Sequence, residues 1–424
     1  MKNHLPKSIL LLAAAKFVFI ACYPVVVHGQ DAWPQFRGPG GQGHAEVDLA
    51  PLTWSETQNV AWKTKIPGQG YSSPVIGGNR VWLTTATNQG HSLRAVCVDR
   101  TSGDIIKDLE VFAPAEPPRV NATNSYASPT PVLQGNRLWV CYGTMGTACL
   151  NIETGEVLWR NNQLTLDHKE GPGSSPMIVD DLLVINCDGQ DVRYVAALNK
   201  ETGELVWKTD RSVPPSRNPD MNKAYSTPLV ISANGRRELI SPGAMHVAAY
   251  NPETGDELWK VLYPQGFSNV PRPVFGDGLL FISTGYTRAT LLAIRPSGDS
   301  DVTDTHVAWS SNKQAPTRPS PLYLDGRLYV VSDRGVLTCF QAATGETIYT
   351  ERLGGSFAAS PIFAGGHIYF CDEDGVTSVV KPGDEFKRVA QNKLSAPFKA
   401  SPAATGKEIY LRTTEALYRI EEQE

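Results

Sequence analysis

Residues 320–350 read SPLYLDGRLYVVSDRGVLTCFQAATGETIYT, and the fold follows from this stretch. Proline fixes φ and has no N–H for a ladder, so Pro321 suits the first residue of a strand and not its middle. The apolar run Leu322-Tyr323-Leu324 is then a first short strand, ended by the Asp325-Gly326 turn. Leu328–Val331 is a second strand and Val336–Phe340 a third, with Asp333-Arg334-Gly335 between them. Thr344-Gly345 turns the chain into a fourth strand, Glu346 to Thr350. Four short antiparallel strands in about 45 residues make one propeller-type sheet.

The same two signals recur on either side. A small residue, a proline and an apolar run occur at Ser73-Pro74, Ser128-Pro129, Ser175-Pro176, Thr227-Pro228, Arg272-Pro273, Ser320-Pro321, Ser360-Pro361 and Ser401-Pro402. Between them lie turns followed by an aromatic residue, best formed at Asn151…Thr154-Gly155…Trp159, Asn199…Thr202-Gly203…Trp207 and Asn251…Thr254-Gly255…Trp259. Weaker copies stand at Asp99…Ser102-Gly103, Ser297-Gly298, Thr344-Gly345…Tyr349 and Pro382-Gly383-Asp384. Each repeat cannot bury its apolar face alone and must stack on its neighbours. The expected fold class is therefore all-β: an eight-bladed β-propeller of four-stranded antiparallel blades. The eighth unit ends at Ala416–Ile420 with little chain left for a fourth strand, while Asn59–Ile66 near the front is an orphan fourth strand carrying Trp62. The expectation is a ring closed by that N-terminal strand, which hides edges prone to aggregation. The domains read as a signal peptide over 1–29, a leader over 30–58 and one propeller over 59–424.

The run Cys149-Leu-Asn151-Ile-Glu-Thr154-Gly155-Glu-Val-Leu-Trp159 resembles the tryptophan-docking motif of the pyrroloquinoline-quinone-type (PQQ-like) repeat family. Ala197–Trp207 and Ala249–Trp259 resemble it more closely, with Asn199 and Asn251 where the family pattern has Asp. Trp33-Pro-Gln-Phe-Arg37-Gly-Pro-Gly40 is similar to the opening of secreted planctomycete-type PQQ-repeat proteins. The repeat is also similar to that of the β-barrel assembly lipoprotein B, a binding scaffold and not an enzyme. The resemblance covers nearly all of 31–424 and implies the fold, while function is set by sites and not by the fold. PQQ-dependent alcohol dehydrogenases of this family carry a vicinal Cys-Cys pair and a calcium site built from Glu, Asn and Asp. This chain has no adjacent cysteines, and Glu170, Asn222 and Asp188 are tied together by no motif.

Composition narrows the function. A net charge of −4 argues against nucleic-acid binding, which needs a dense basic surface. Lys2 and Lys7 precede an apolar run from Ser8 to Val27 that Lys16 interrupts, the pattern of a secretory signal rather than a membrane span. The protein is expected in the periplasm or outside the cell, with no transmembrane segment after cleavage; Phe19-Ile20-Ala21-Cys22 is a poor lipidation site. Six cysteines remain after the signal, all at two repeat positions. They read as small buried strand residues, with a Cys141–Cys149 disulfide across the Gly143–Gly146 turn as the alternative. There is no zinc-hydrolase motif, no nucleophile elbow and no haem-attachment pattern. Asp188-Gly-Gln190-Asp191 and Asp372-Glu373-Asp374-Gly375 resemble calcium loops only in composition.

Inner strands of a propeller line its channel, so residues two places before each Ser/Thr-Pro pair should meet at one rim. Among them Tyr71, Tyr126, Tyr225, Arg318 and Lys399 are candidates for ligand or cofactor binding, together with Arg272, which breaks an otherwise Ser/Thr position. His168, Lys169, Arg217, Asn222 and Lys223 lie in longer loops near the same rim. Aromatic and cationic groups there suit a planar or anionic ligand. The expected function is a non-catalytic binding or scaffold module of the cell envelope, with an envelope protein or an extended ligand at the rim. The alternative is a quinoprotein-type oxidoreductase using PQQ with Ca²⁺.

Overall fold

Alternating apolar residues let each short strand bury one face against the sheet before it and the other against the sheet after it. In the computed structural model, which describes Met1 and residues 32–263 and 265–422, this produces eight sheets around one axis. The signal peptide expected over 1–29 and the cysteine at 22 fall on residues outside this description, apart from Met1. Blade 6 consists of Leu322–Leu324, Arg327–Val331, Val336–Gln341 and Thr347–Arg352, the strands read from its sequence. All its pairings are antiparallel. Blade 8 has the order expected for closure: Ala403–Thr405, Glu408–Arg412 and Ala416–Ile420 from the C-terminus, then Val60–Lys65 from the front. Val60 pairs with Ile420 and Lys65 with Ala416.

Adhesion between blades uses one contact repeatedly. Trp62, Trp159 and Trp309 each lie on the turn glycine of the next blade and donate the indole N–H to a carbonyl there, whereas Trp207 covers Gly255 without that bond and Trp259 donates to Glu238 of its own blade. Trp159 donates to Lys200 O at 3.0 Å and covers Gly203. Trp62 donates to Arg100 O at 2.9 Å and covers Gly103, so blade 8 seals onto blade 1 by the same contact. Gly203 has φ 75°, and a Cβ on it would come within 2.5 Å of the Trp159 ring; both facts call for glycine. Asn199 and Asn251 stand where the family has Asp, yet each side-chain oxygen accepts two backbone N–H bonds of its turn. Asp99 does the same, so the turn requires an acceptor and not a charge.

Blade 5 departs from the repeat. After Gly298, Ser300–Asp301 joins blade 4 as a fifth, parallel strand, and a short helix, Thr303–His306, intervenes before the outer strand Val307–Ser311. Trp309 on that strand covers Gly345 and donates to Ala342 O at 2.8 Å. The sequence reading missed this tryptophan because the insertion displaces it from its turn.

Blade 2 corrects a register. Ser128-Pro129 and Thr130-Pro131 overlap, and the innermost strand starts at Val132. In the other seven blades that strand starts two residues after the Ser/Thr/Arg position, so Thr130 is the equivalent and not Ser128. The cysteines also resolve. Cys141 pairs with Thr147 and Cys149 with Trp139, which separates the two sulfurs, and all six described cysteines are free and buried. Burial raises their thiol pKa values, Cys97 to about 12.

The leader belongs to the ring floor. Trp33 exchanges backbone hydrogen bonds with Ile76 of blade 1, and Pro34 O accepts from Leu133 N of blade 2. The chain then crosses beneath the channel to blades 5 and 6, pairs with Phe363 of blade 7 through Gly43 and Ala45, and enters blade 8.

Candidate functional site

The inner ends of the blades are tied by a ring of hydroxyls. The N–H of each Ser/Thr-Pro marker donates to the hydroxyl of the next blade's marker: Ser73 to Thr130, Thr130 to Ser175 and Ser175 to Thr227, at 2.9–3.0 Å. The chain of bonds resumes from Arg272 to Ser320, Ser360, Ser401 and back to Ser73, at 2.9–3.1 Å. Seven of eight seams are closed this way. At the eighth, Arg272 has no hydroxyl to offer to Thr227.

Above this ring opens a cavity of about 660 Å³. With blade 2 in its corrected register, all eight residues two places before the markers line it: Tyr71, Ser128, Gly173, Tyr225, Val270, Arg318, Ala358 and Lys399. Phe36 of the leader also lines it, so the channel is a cup closed at its base by the protein's own chain. Phe267 and Tyr286 add an edge-to-face aromatic pair, ring centroids 5.6 Å apart, with Tyr286 exposed.

Of the residues singled out from sequence, Tyr71, Tyr225, Arg318 and Lys399 line the cup, joined by Lys169 and Lys223 from the longer loops. Tyr126 does not. The two-residue register shift puts Ser128 in its place, and its ring packs over Gly90 instead. Arg272 does not line it either. It is buried beneath the cup, donating Nη1 to Phe36 O at 2.6 Å and Nε to Pro228 O at 3.1 Å.

The cations on the cup wall are matched by carboxylates. Lys223 pairs with Glu170 at 3.0 Å and Asp220 at 3.4 Å, and Lys169 pairs with Asp220 at 2.5 Å. Hydrogen bonding from Lys169 is the main reason the Asp220 carboxyl is held below its usual range. Arg318 bridges Asp333 at 3.1 Å and Glu373 at 2.7 Å, and Lys399 also binds Glu373. Burial would raise the Glu373 pKa, but Lys399 and Arg318 outweigh it and the carboxyl is lowered. The sequence reading gave Arg318 and Lys399 without these partners, which come from turns of their own and adjacent blades. Tyr225 donates its hydroxyl to His168 O at 2.7 Å, and burial raises its pKa. His168 Nε2 accepts from Thr144 N at 3.0 Å, and burial pushes the imidazole down to about 4.

The trio considered for a metal does not converge. Asp188 is locked to Arg211 with both side chains fully buried, at 2.5 and 3.0 Å. Asn222 Oδ1 accepts from Ser216 N, and Glu170 holds Lys223. Asp372 caps its own turn, and Asp191 accepts from Val192 N and from Asp167 N of the preceding loop. Among the described residues no group of three or more His, Cys, Asp or Glu could hold a metal ion. A tricarboxylate quinone with calcium needs unpaired cations and clustered oxygen donors, and the donor set of this cup does not fit that group. Aromatic faces over a ring of hydroxyls and balanced ion pairs instead suit a polar, uncharged chain or ring.

The sequence matches the family model described as outer membrane protein assembly factor BamB over residues 92–308 and 299–384. A curated relative, the outer membrane protein assembly factor BamB of Alkalilimnicola ehrlichii, is 26% identical over 196 residues, 45% of this chain and 49% of that protein. The chain thus spans about half the length of the curated relative it matches. The crystal structure of BamB from Moraxella catarrhalis superposes with a TM-score of 0.61 at 13% identity, covering 85% of this chain and 99% of that one. A europium-containing methanol dehydrogenase gives 0.57 at 11% identity, covering 92% and 91%. Structural likeness at these identities bears on the fold alone. No helix among the described residues is long and apolar enough to cross a membrane.

Proposed function

Because this chain belongs to the PQQ-like β-propeller family, we propose that it is an exported scaffold of the cell envelope whose cup holds an extended segment of a partner protein. In this reading residues 1–29 direct export, and the mature protein works in the periplasm or outside the cell. The observation that carries it is the neutralised cup: Lys169, Lys223, Arg318 and Lys399 are matched by Glu170, Asp220, Asp333 and Glu373. Charges spent on one another hold a wall rigid and leave little to activate a nucleophile or bind a metal-bound cofactor. Tyr71, Tyr225, Phe267 and Tyr286 offer large amphipathic contact faces, the kind that dominate protein recognition. The similarity to proteins described as assembly factors supports a binding role over a catalytic one.

A photo-reactive benzoylphenylalanine at position 286, at the cup mouth, tests this in the native cell. Position 205 on the outer strand of blade 3, where Leu205 is also exposed, serves as the control. Light-dependent adducts to a protein from position 286, absent from position 205, are expected. Adducts from the control alone, or none from either, would reject the cup as the binding surface. Turnover of an alcohol or sugar by the purified protein with PQQ and Ca²⁺ would reject the non-catalytic part.

A further inference from the structure

Beneath the cup lie two buried arginines without carboxylate partners. Arg37 is 0% exposed and Arg272 1% exposed. Arg37 Nη2 donates to Gln42 O and Pro321 O, each at 2.8 Å, while its Nε and Nη1 are buried with no hydrogen-bond partner. Both guanidinium groups are packed by the same glycine-rich turn of the leader. A Cβ on Gly41 would come within 2.1 Å of Arg272 Nη1, and one on Gly43 within 2.6 Å of Arg37 Nη2. Among the described residues neither arginine takes part in an ion pair. Carbonyl oxygens satisfy some of their N–H groups but supply no countercharge.

The rest of the molecule shows how this chain treats buried arginine elsewhere. Arg211, whose side chain is equally inaccessible, has Asp188 across two short bonds and donates a further hydrogen bond to the Tyr250 hydroxyl. Burial alone would lower the Arg211 pKa, but Asp188 outweighs it and the group is raised. Arg412 also lacks a carboxylate, but Ser72 O and Oγ accept from its Nη1 and it has no unpartnered buried nitrogen. The site between blades 5 and 6 and the leader instead combines two guanidinium groups without a carboxylate and, on Arg37, two unused donors. Desolvation, reinforced at Arg37 by the charge of Arg272, lowers both to about 9. Both therefore remain charged at neutral pH, and two guanidinium groups that feel each other's charge in a water-poor site are unfavourable without a counterion.

We propose that Arg37 and Arg272 hold a small inorganic anion of chloride size, bound by the unpartnered N–H groups of Arg37 within the field of Arg272. The anion completes the floor of the propeller and fastens the leader beneath the channel. Its site is where the hydroxyl ring is broken: Arg272 replaces the eighth hydroxyl and reaches down to Phe36 O. The inference is independent of what the cup binds.

Bromide and matched salts test it on the full mature chain. Crystals soaked in sodium bromide should show an anomalous peak within hydrogen-bond reach of Arg37. In solution, melting temperature should rise by about 1 to 2 °C for each tenfold increase in chloride above its Kd, and should not rise with gluconate at equal ionic strength. Arg37→Leu should abolish the chloride dependence. Should that variant fail to fold, Arg272→Ser, which restores the repeat's hydroxyl, should weaken the dependence while keeping the ring. No bromide peak, or equal response to chloride and gluconate, overturns the proposal. A bromide peak with chloride dependence unchanged in both variants is an adventitious ion only, and overturns it equally.

Discussion

Replacing Ser73 with alanine tests the hydroxyl ring at its most exacting seam. The Ser73 Oγ accepts from the N–H of Ser401 at 3.1 Å, tying the last blade to the first. Ser73 is 2% exposed and Ser401 5%, so without the oxygen that amide has little access to water. An unsatisfied buried donor costs about 1 to 3 kcal/mol. With an unfolding entropy of about 2.1 cal/mol/K per residue, a chain of about 390 folded residues loses about 1 to 4 °C for that change. Differential scanning calorimetry should show this drop for Ser73→Ala and near-recovery for Ser73→Thr, which keeps the hydroxyl. Hydrogen exchange should report faster exchange at Ser401, with no change at the Thr130–Ser175 seam. If Ser73→Ala melts with the wild type and Ser401 exchanges no faster, the hydroxyls are bystanders and the seams are held by packing alone.

Other expectations follow from the same contacts. Trp62→Ala removes the ring that seals blade 8 onto Gly103 and should cost about 3 to 5 kcal/mol in urea unfolding, with no comparable loss for an exposed outer-strand residue such as Leu205. Gly203→Ala places a Cβ against Trp159 at positive φ and should lose about 1 to 3 kcal/mol from backbone strain alone, again by urea titration. Burial, aided by the charge of Arg211, pushes the fully buried His246 imidazole down to about 3, below the ordinary value of 6.5. The unfolded chain then binds the proton more readily, so stability is full above pH 6.5 and falls as pH drops toward 3. Melting curves should show a loss of up to about 1.4 kcal/mol per pH unit in that window, and the His246→Asn variant should lack this component.

The repeat could be read from the chain because proline and glycine impose backbone geometry that few other residues satisfy. Pro321 marked the start of an inner strand and the Thr202-Gly203 turn the start of an outer one without reference to anything distant. Trp62 could be assigned to blade 8 because its own repeat was otherwise missing. The local rule failed where it was degenerate or interrupted. Two Ser/Thr-Pro pairs overlap at 128–131, and only the start of the following strand at Val132 chooses between them; Tyr126 was misplaced as a result. An insertion carried Trp309 away from its turn. Arg272 stood out as an exception to the pattern, but its partner Phe36 lies 236 residues away and no repeat encodes the leader's path. The ion pairs that neutralise Arg318 and Lys399 likewise join residues up to 55 positions apart, a spacing no motif fixes.

The strand that ends the ring has a bearing on how the polypeptide matures. Val60 meets Ile420, and Ser73 receives its bond from Ser401, so segments made first must wait for those made last. Contacts this remote in sequence form late and slowly. Until Ala416–Ile420 has been made, the circle stays open and Val60–Lys65 has no partner. A molecule truncated after Arg412 would lose more than its tail: Val60–Lys65 would be left with no edge to join.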